Sequence, residues 1–113
     1  MKRSKYNARP AVVDGIRFAS QSEAKRDWQL QQLAKAGIVK NIKRQPRYPL
    51  VVCGVKVGTY VGDWEYIDME NSVTGKEAPY LVCEDRKGVL TPLFKLKWKI
   101  VQALYPDVEF RLS

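Results

Sequence analysis

Apolar positions along the 113-residue chain switch between two periods, and the switches mark the elements. Val12-Val13-Asp14-Gly15-Ile16-Arg17-Phe18 places two short apolar runs around an Asp-Gly turn dipeptide, which predicts a hairpin. Ser20-Gln21-Ser22-Glu23 has the form of a capping box, so a helix is expected over 21–36, stopped by Gly37. Strand character follows: a short extended piece at 38–42, then β-rich 47–53, with Pro49 marking an edge or strand start. Residues 54–57 turn into a strand over 58–68, and 69–78 form a polar loop. A strand at 79–87 ends at Gly88. Thr91-Pro92 supplies an N-cap and a first-turn proline for a helix carrying Phe94, Trp98, Val101 and Tyr105 on one stripe, ended by Pro106. Residues 108–112 alternate as a last strand. The order helix, three strands, helix, strand predicts a small α/β fold with a central mixed sheet. Residues 1–10 read as a flexible basic arm and 11–113 as a single domain.

Composition narrows the class. With 45% hydrophobic residues the chain supports one modest core, burying roughly two-thirds of its unfolded surface. No apolar run approaches the roughly 18–20 residues of a membrane span, and the polar, basic start has no secretory pattern. A cytoplasmic protein with no membrane partner is expected. The net charge of +8 is uneven: residues 1–47 hold twelve basic and three acidic side chains, while 48–113 hold eight and nine. A basic first half suits a polyanion, nucleic acid first, or else is a well-solvated surface. The chain has no His, which removes His-metal nucleases, Ser-His-Asp hydrolases and zinc deaminases. Cys53 and Cys83 lack CxxC spacing and read as core thiols. No GxGxxG or P-loop is present. Any catalysis rests on carboxylates, Lys, Arg, Tyr and a hard metal ion.

The carboxylates fall in unexpected places. Along 79–87, Leu81, Cys83, Asp85 and Lys87 share one face, with Tyr80, Val82, Glu84 and Arg86 on the other. In 58–68 the same rule groups Val61, Asp63, Glu65 and Ile67. On the first helix, counting from Ala24 at about 100° per residue, Leu30 falls at about 240° and Ala34 at about 280°. Glu23 falls at about 260°, on the inward stripe, where the capping box also accounts for it. Three elements thus aim acids at a core-facing edge: Glu23, Asp63 and Asp85, with Lys87 beside them. Unpaired, such burial is costly. A Mg²⁺ or Mn²⁺ ion held by these carboxylates relieves it, and so does an internal ion pair from Lys87 to Asp85 or Asp63. With the ion, phosphodiester hydrolysis becomes available, Lys87 orienting water or stabilising the phosphorane.

Glu23, Gly62-Asp63 and Asp85-Arg86-Lys87, in this order across helix, strand and strand, resemble the pattern of the PD-(D/E)xK nuclease superfamily. The chain is more narrowly similar to a small phage and prophage family grouped with Holliday junction resolvases. The matching stretches are residues 13–24, 45–48, 60–64, 84–88 and 91–97. Gly62 stands where the superfamily pattern has Pro, and Glu65 where an apolar residue is expected. The resemblance implies a restriction-endonuclease-like core and a Mg²⁺- or Mn²⁺-dependent endodeoxyribonuclease acting on branched DNA in recombination. Its catalytic residues are Glu23, Asp63, Asp85 and Lys87, the first three also metal ligands. Gln45 is a further polar site candidate. Lys40, Lys43, Arg44, Arg47, Lys95 and Lys99 are expected to bind DNA phosphates, unless Lys40–Arg47 merely guard a strand edge. Two symmetric cuts call for a homodimer, with exposed aromatics at its interface. The localisation implied is the cytoplasm of a bacterial host. Rival readings are a non-catalytic DNA-binding phage accessory protein that keeps the fold, and a sequence-specific restriction-type nuclease.

Overall fold

The structure, a computed structural model, describes residues 11–13, 16–70 and 77–113. The basic arm, the Asp14-Gly15 turn and residues 71–76 of the polar loop lie outside the described residues. Strands β1 (Ala11–Val13) and β2 (Ile16–Phe18) pair antiparallel, as expected of a hairpin. Helix α1 (Gln21–Lys35) starts at Ser20, whose hydroxyl accepts the Glu23 N–H at 3.1 Å. Gly37, at φ +77°, takes the left-handed conformation that ends it.

Four strands make the central mixed sheet, in the order β3 (Val39–Arg44), β6 (Trp64–Asp68), β7 (Tyr80–Asp85), β8 (Val108–Leu112). The first two pairings are antiparallel and β7–β8 is parallel, its crossover being α2 (Pro92–Leu104). Thr91 caps α2, accepting the Phe94 N–H at 3.1 Å. Strands β4 (Arg47–Val52) and β5 (Val55–Val61) form a separate antiparallel hairpin. The fold is α/β, with two helices.

Three expectations are corrected. The piece at 38–42 is a full sheet strand, while 47–53 leaves the sheet for the hairpin. The strand over 58–68 is broken into β5 and β6 at Gly62-Asp63. Cys53 is exposed at the hairpin turn, and only Cys83 is a core thiol. The turn explains it: Cys53 and Gly54 both have positive φ, which holds the pair at the hairpin's outer end.

Two apolar clusters lie on opposite faces of the sheet. Leu30 of α1 packs with Val39, Trp64, Tyr66, Tyr80 and Val82. On the other face Cys83 meets Tyr48, Leu50, Tyr60 and Val101, with Phe94, Trp98 and Phe110 around them. The layers are therefore α1, sheet, then hairpin with α2. Because β7 is covered on both faces, its two acids are buried in opposite directions: Glu84 toward α1, Asp85 toward the hairpin and α2.

Candidate active site

The end of β7 and the break before β6 bring the sequence-derived acids together. Gly62 N–H donates to the Pro46 carbonyl at 3.0 Å, and Asp63 N–H to the Glu84 carbonyl at 3.1 Å. A Cβ on Gly62 would come within 2.5 Å of Cys83 Sγ, so only glycine lets this corner close. The corner turns Asp63 toward the end of β7, where its Oδ2 accepts the Arg86 N–H at 2.7 Å. Asp63 and Asp85 interact through their side chains, and Glu23 acts on Asp63 from the first turn of α1.

Asp85 is fully buried. Its Oδ2 accepts from the Tyr60 hydroxyl, and its Oδ1 lies 3.2 Å from Lys87 Nζ. The contact is an ion pair without hydrogen-bond direction, and Oδ1 is the buried oxygen left without a hydrogen bond. Burial first, then neighbouring Asp63, pushes Asp85 up to about 7, against the lowering by Tyr60 and Lys87. Burial also raises Asp63, with Glu23 adding to it, while Asp85 and the Arg86 N–H oppose the rise. Lys87 is held from below by the Phe94 ring, 4.9 Å from its centroid. The expected Lys87–Asp85 pair therefore forms.

Glu23 lines two openings. One, of about 260 Å³, adds Phe18, Arg44, Gln45, Asp63 and Trp64. The other, of about 670 Å³, adds Ser22, Arg86, Lys87, Thr91 and Phe94. They adjoin at Ala19 and Glu23 as one groove, lined by Glu23, Asp63 and Lys87 but not by buried Asp85. Gln45 borders it in a left-handed conformation, φ +52°, with its N–H donating to the Asp63 carbonyl at 2.9 Å. Arg86 is tethered across the groove, Nε donating to Ser22 Oγ at 2.6 Å.

Among the described residues, no three Asp, Glu, Cys or His side chains cluster at ion-holding separation. The fit of a hard divalent ion rests instead on Asp63 and Asp85, two oxygen donors with one buried, unbonded Oδ1. Mg²⁺ keeps several waters and uses one or two carboxylates, so the pair suits it. Glu23 faces the same groove without closing a three-carboxylate cage.

Other expected residues have structural partners. Glu84 is buried and bound bidentate by Arg26, at 2.6 and 2.9 Å, with the Tyr66 hydroxyl donating at 2.6 Å. Burial opposes its charge, but these partners outweigh it and lower its pKa. Glu65 accepts from the Tyr48 hydroxyl, on the hairpin side of the sheet. Arg44 is bound bidentate to buried Asp27, at 2.8 and 2.9 Å, and the Trp64 indole donates to Asp27 at 3.0 Å. Lys40, Lys43 and Arg47 are exposed on β3 and β4, and Lys95 and Lys99 on α2. The residues missed in sequence were Tyr60, Phe94 and Asp27. For Asp27 a signal existed: at about 300° on α1, it shares the inward stripe with Glu23. Nothing in the spacing pairs Tyr60 with Asp85, 25 positions away.

A family model described as Protein of unknown function (DUF1064) matches residues 3–113. No curated protein matches, and no solved structure does.

Proposed function

The chain belongs to that family, whose model spans all but its first two residues, and we propose that it is a metal-dependent endodeoxyribonuclease. The reading includes a restriction-endonuclease-like core of the PD-(D/E)xK type and branched DNA as substrate. One observation carries it: Asp63, from the break between β5 and β6, and buried Asp85, at the end of β7, interact beside Lys87, with Asp85 Oδ1 lacking a hydrogen bond.

Asp63 and Asp85 would hold Mg²⁺ or Mn²⁺, with Glu23 at the rim of the same groove. When bound, such an ion polarises the phosphate and acidifies water. The chain's own residues do the positioning. Tyr60 fixes the orientation of Asp85 through Oδ2. Lys87, steadied by Phe94, presents a compact cation to a scissile phosphate and stabilises charge that grows in the transition state. Arg86, held by Ser22, lines the groove where a neighbouring phosphate would pass. Among the described residues no helix is long and apolar enough to cross a membrane, and the reading places the chain in a bacterial cytoplasm.

The non-catalytic accessory reading has its own support: Lys87 already neutralises Asp85, and no three-carboxylate cage forms among the described residues. Supercoiled plasmid and a synthetic four-way junction, with Mg²⁺, Mn²⁺ or EDTA, separate the two. Cleavage is expected with metal and lost in EDTA. Asp85→Ala and Lys87→Ala should each cut at least a hundredfold more slowly while binding the junction nearly as well as the parent, because both act on the chemical step. Equal cleavage by both variants would install the accessory reading. Glu84→Ala should cost stability rather than chemistry, since it removes the partner of half-buried Arg26 and of the Tyr66 hydroxyl.

A further inference from the structure

The two adjacent acids at the end of β7 differ in how many of their oxygens are bonded. Glu84 has both filled: Oε1 accepts from Arg26 and the Tyr66 hydroxyl, and Oε2 accepts from Arg26. Asp85 has one. Its Oδ2 accepts from the Tyr60 hydroxyl, while Oδ1 is buried without a hydrogen bond. One oxygen of Asp63 is likewise committed, Oδ2 accepting the Arg86 N–H at 2.7 Å. Each acid of the Asp63–Asp85 pair thus has one oxygen fixed by a donor of the chain itself. Leaving a buried oxygen unbonded is costly, so the half-occupied state of Asp85 needs an account.

Tyr60 is gripped where it stands. It is buried, and it pairs with Tyr48 across the β4–β5 hairpin. Phe94 and Trp98 of α2 and Phe110 of β8 pack on its ring, 6.2, 6.1 and 6.0 Å between centroids. In a close-packed interior the hydroxyl cannot swing off Asp85 without repacking both the hairpin and α2. A tyrosine of this cluster does not need an acid to be satisfied: Tyr105 gives its hydroxyl to the Pro49 carbonyl at 2.7 Å. Lys87 Nζ, 3.2 Å from Asp85 Oδ1, balances charge there without filling the oxygen's hydrogen-bonding capacity. Oδ1 is therefore the one oxygen of Asp85 with room for a further cation.

The consequence is a matter of ion size and ligand number. Ca²⁺ takes roughly six to eight oxygens and often chelates a carboxylate through both of its oxygens. Mg²⁺ is smaller, holds near-octahedral geometry, keeps several waters and uses one or two carboxylates. Mn²⁺ shares the octahedral oxygen preference. A carboxylate with one oxygen locked to a phenol cannot chelate. We propose that Tyr60 is a positioning residue that sets the choice of metal: by holding Oδ2 it restricts Asp85 to one oxygen, so that the Asp63–Asp85 pair accepts a small octahedral ion and discriminates against Ca²⁺. This rests on the metal-dependent reading and deepens it, since it assigns the selectivity of that site to a side chain that touches no metal.

The test follows metal binding rather than cleavage, in the full chain without DNA. Electron paramagnetic resonance reads free Mn²⁺, with Ca²⁺ as competitor, for the parent and for Tyr60→Phe. The parent should bind Mn²⁺ more tightly than Ca²⁺. Tyr60→Phe keeps the ring and frees Oδ2. It should bind Mn²⁺ about tenfold to a hundredfold more weakly, as loss of a ligand's hydrogen-bond partner does, while Ca²⁺ affinity holds or rises. Melting curves with each ion, read against each protein's own metal-free curve, should show the same narrowing. A purely structural loss would weaken both ions alike. Mn²⁺ binding with an unchanged Ca²⁺ to Mn²⁺ ratio in Tyr60→Phe therefore overturns the proposal and leaves the metal site standing. A parent that binds Ca²⁺ as tightly as Mn²⁺ overturns it as well, even if the variant does not fold. A parent that binds neither ion removes the metal site of the nuclease reading, and this proposal with it.

Discussion

Burial first, then Asp63 beside it, pushes Asp85 up to about 7 in the folded chain, Tyr60 and Lys87 opposing the rise. Unfolded, an Asp ionises at about 3.9. Between those values the folded state binds the extra proton, so the stability this group confers is whole below about pH 4 and lost as pH rises through about 7. In EDTA, urea unfolding should therefore report a loss of roughly 2–3 kcal/mol from this group between about pH 5 and pH 8. Glu84 works in the opposite sense: its lowered pKa gives stability above its unfolded value that fades on acidification. The informative comparison is thus the wild type against Asp85→Asn, whose pH slope should be flatter over that interval. An unchanged slope would show that another group carries it. Cys83 takes no part, because burial first and Asp85 next push its thiol up to about 12.

At the scale of elements, the break between β5 and β6 decides whether there is a site. It depends on Gly62, where a Cβ would press on Cys83 Sγ at 2.5 Å while the N–H is committed to the Pro46 carbonyl. Gly62→Ala should lower stability by about 1–3 kcal/mol, as overpacking does. Paired with Cys83→Ala, it should cost less than the two singles added together, because the second change empties the space the first one needs. Additive losses in thermal unfolding would place the strain elsewhere. A proline at this position would also surrender the bond to the Pro46 carbonyl.

For the whole molecule, two surfaces matter beyond the groove. The exposed cations Lys40, Lys43 and Arg47 run along β3 and β4. Changing all three to Gln should weaken DNA binding at every sequence and reduce the slope of log K against log salt by roughly one to three. Arg44 is left out because its loss strands the buried carboxylate of Asp27. The second surface is aliphatic. Leu93 and Leu96 of α2 are 62% and 56% exposed, and Leu104 and half-buried Ile100 extend the same stripe. A homodimer, expected from the sequence, would have its apolar interface on this stripe rather than on exposed aromatics. Leu93→Lys with Leu96→Lys should convert dimer to monomer in sedimentation velocity without disturbing the core, and a wild-type chain that sediments as a monomer would remove the dimer.

Local rules were sufficient where they act locally. Ser20 and Thr91 announce both helix starts, Gly37 one helix end, and the Phe94–Tyr105 stripe the face that α2 buries, because caps and periodicity depend on neighbours a turn away. Glu23, Asp63, Asp85 and Lys87 were legible as inward acids and their cation for the same reason. What alternation could not decide was which strands share a sheet: 38–42 and 47–53 have equal strand character, and only packing assigns the first to the sheet and the second to the hairpin. Nor could it tell which acid is already satisfied. Asp85 and Glu84 are adjacent in sequence, yet one meets Arg26 from α1 and the other meets Tyr60, Asp63 and Lys87. Burial on both faces of β7 and partners tens of residues distant make that difference, and those are properties of the fold, not of any window of sequence.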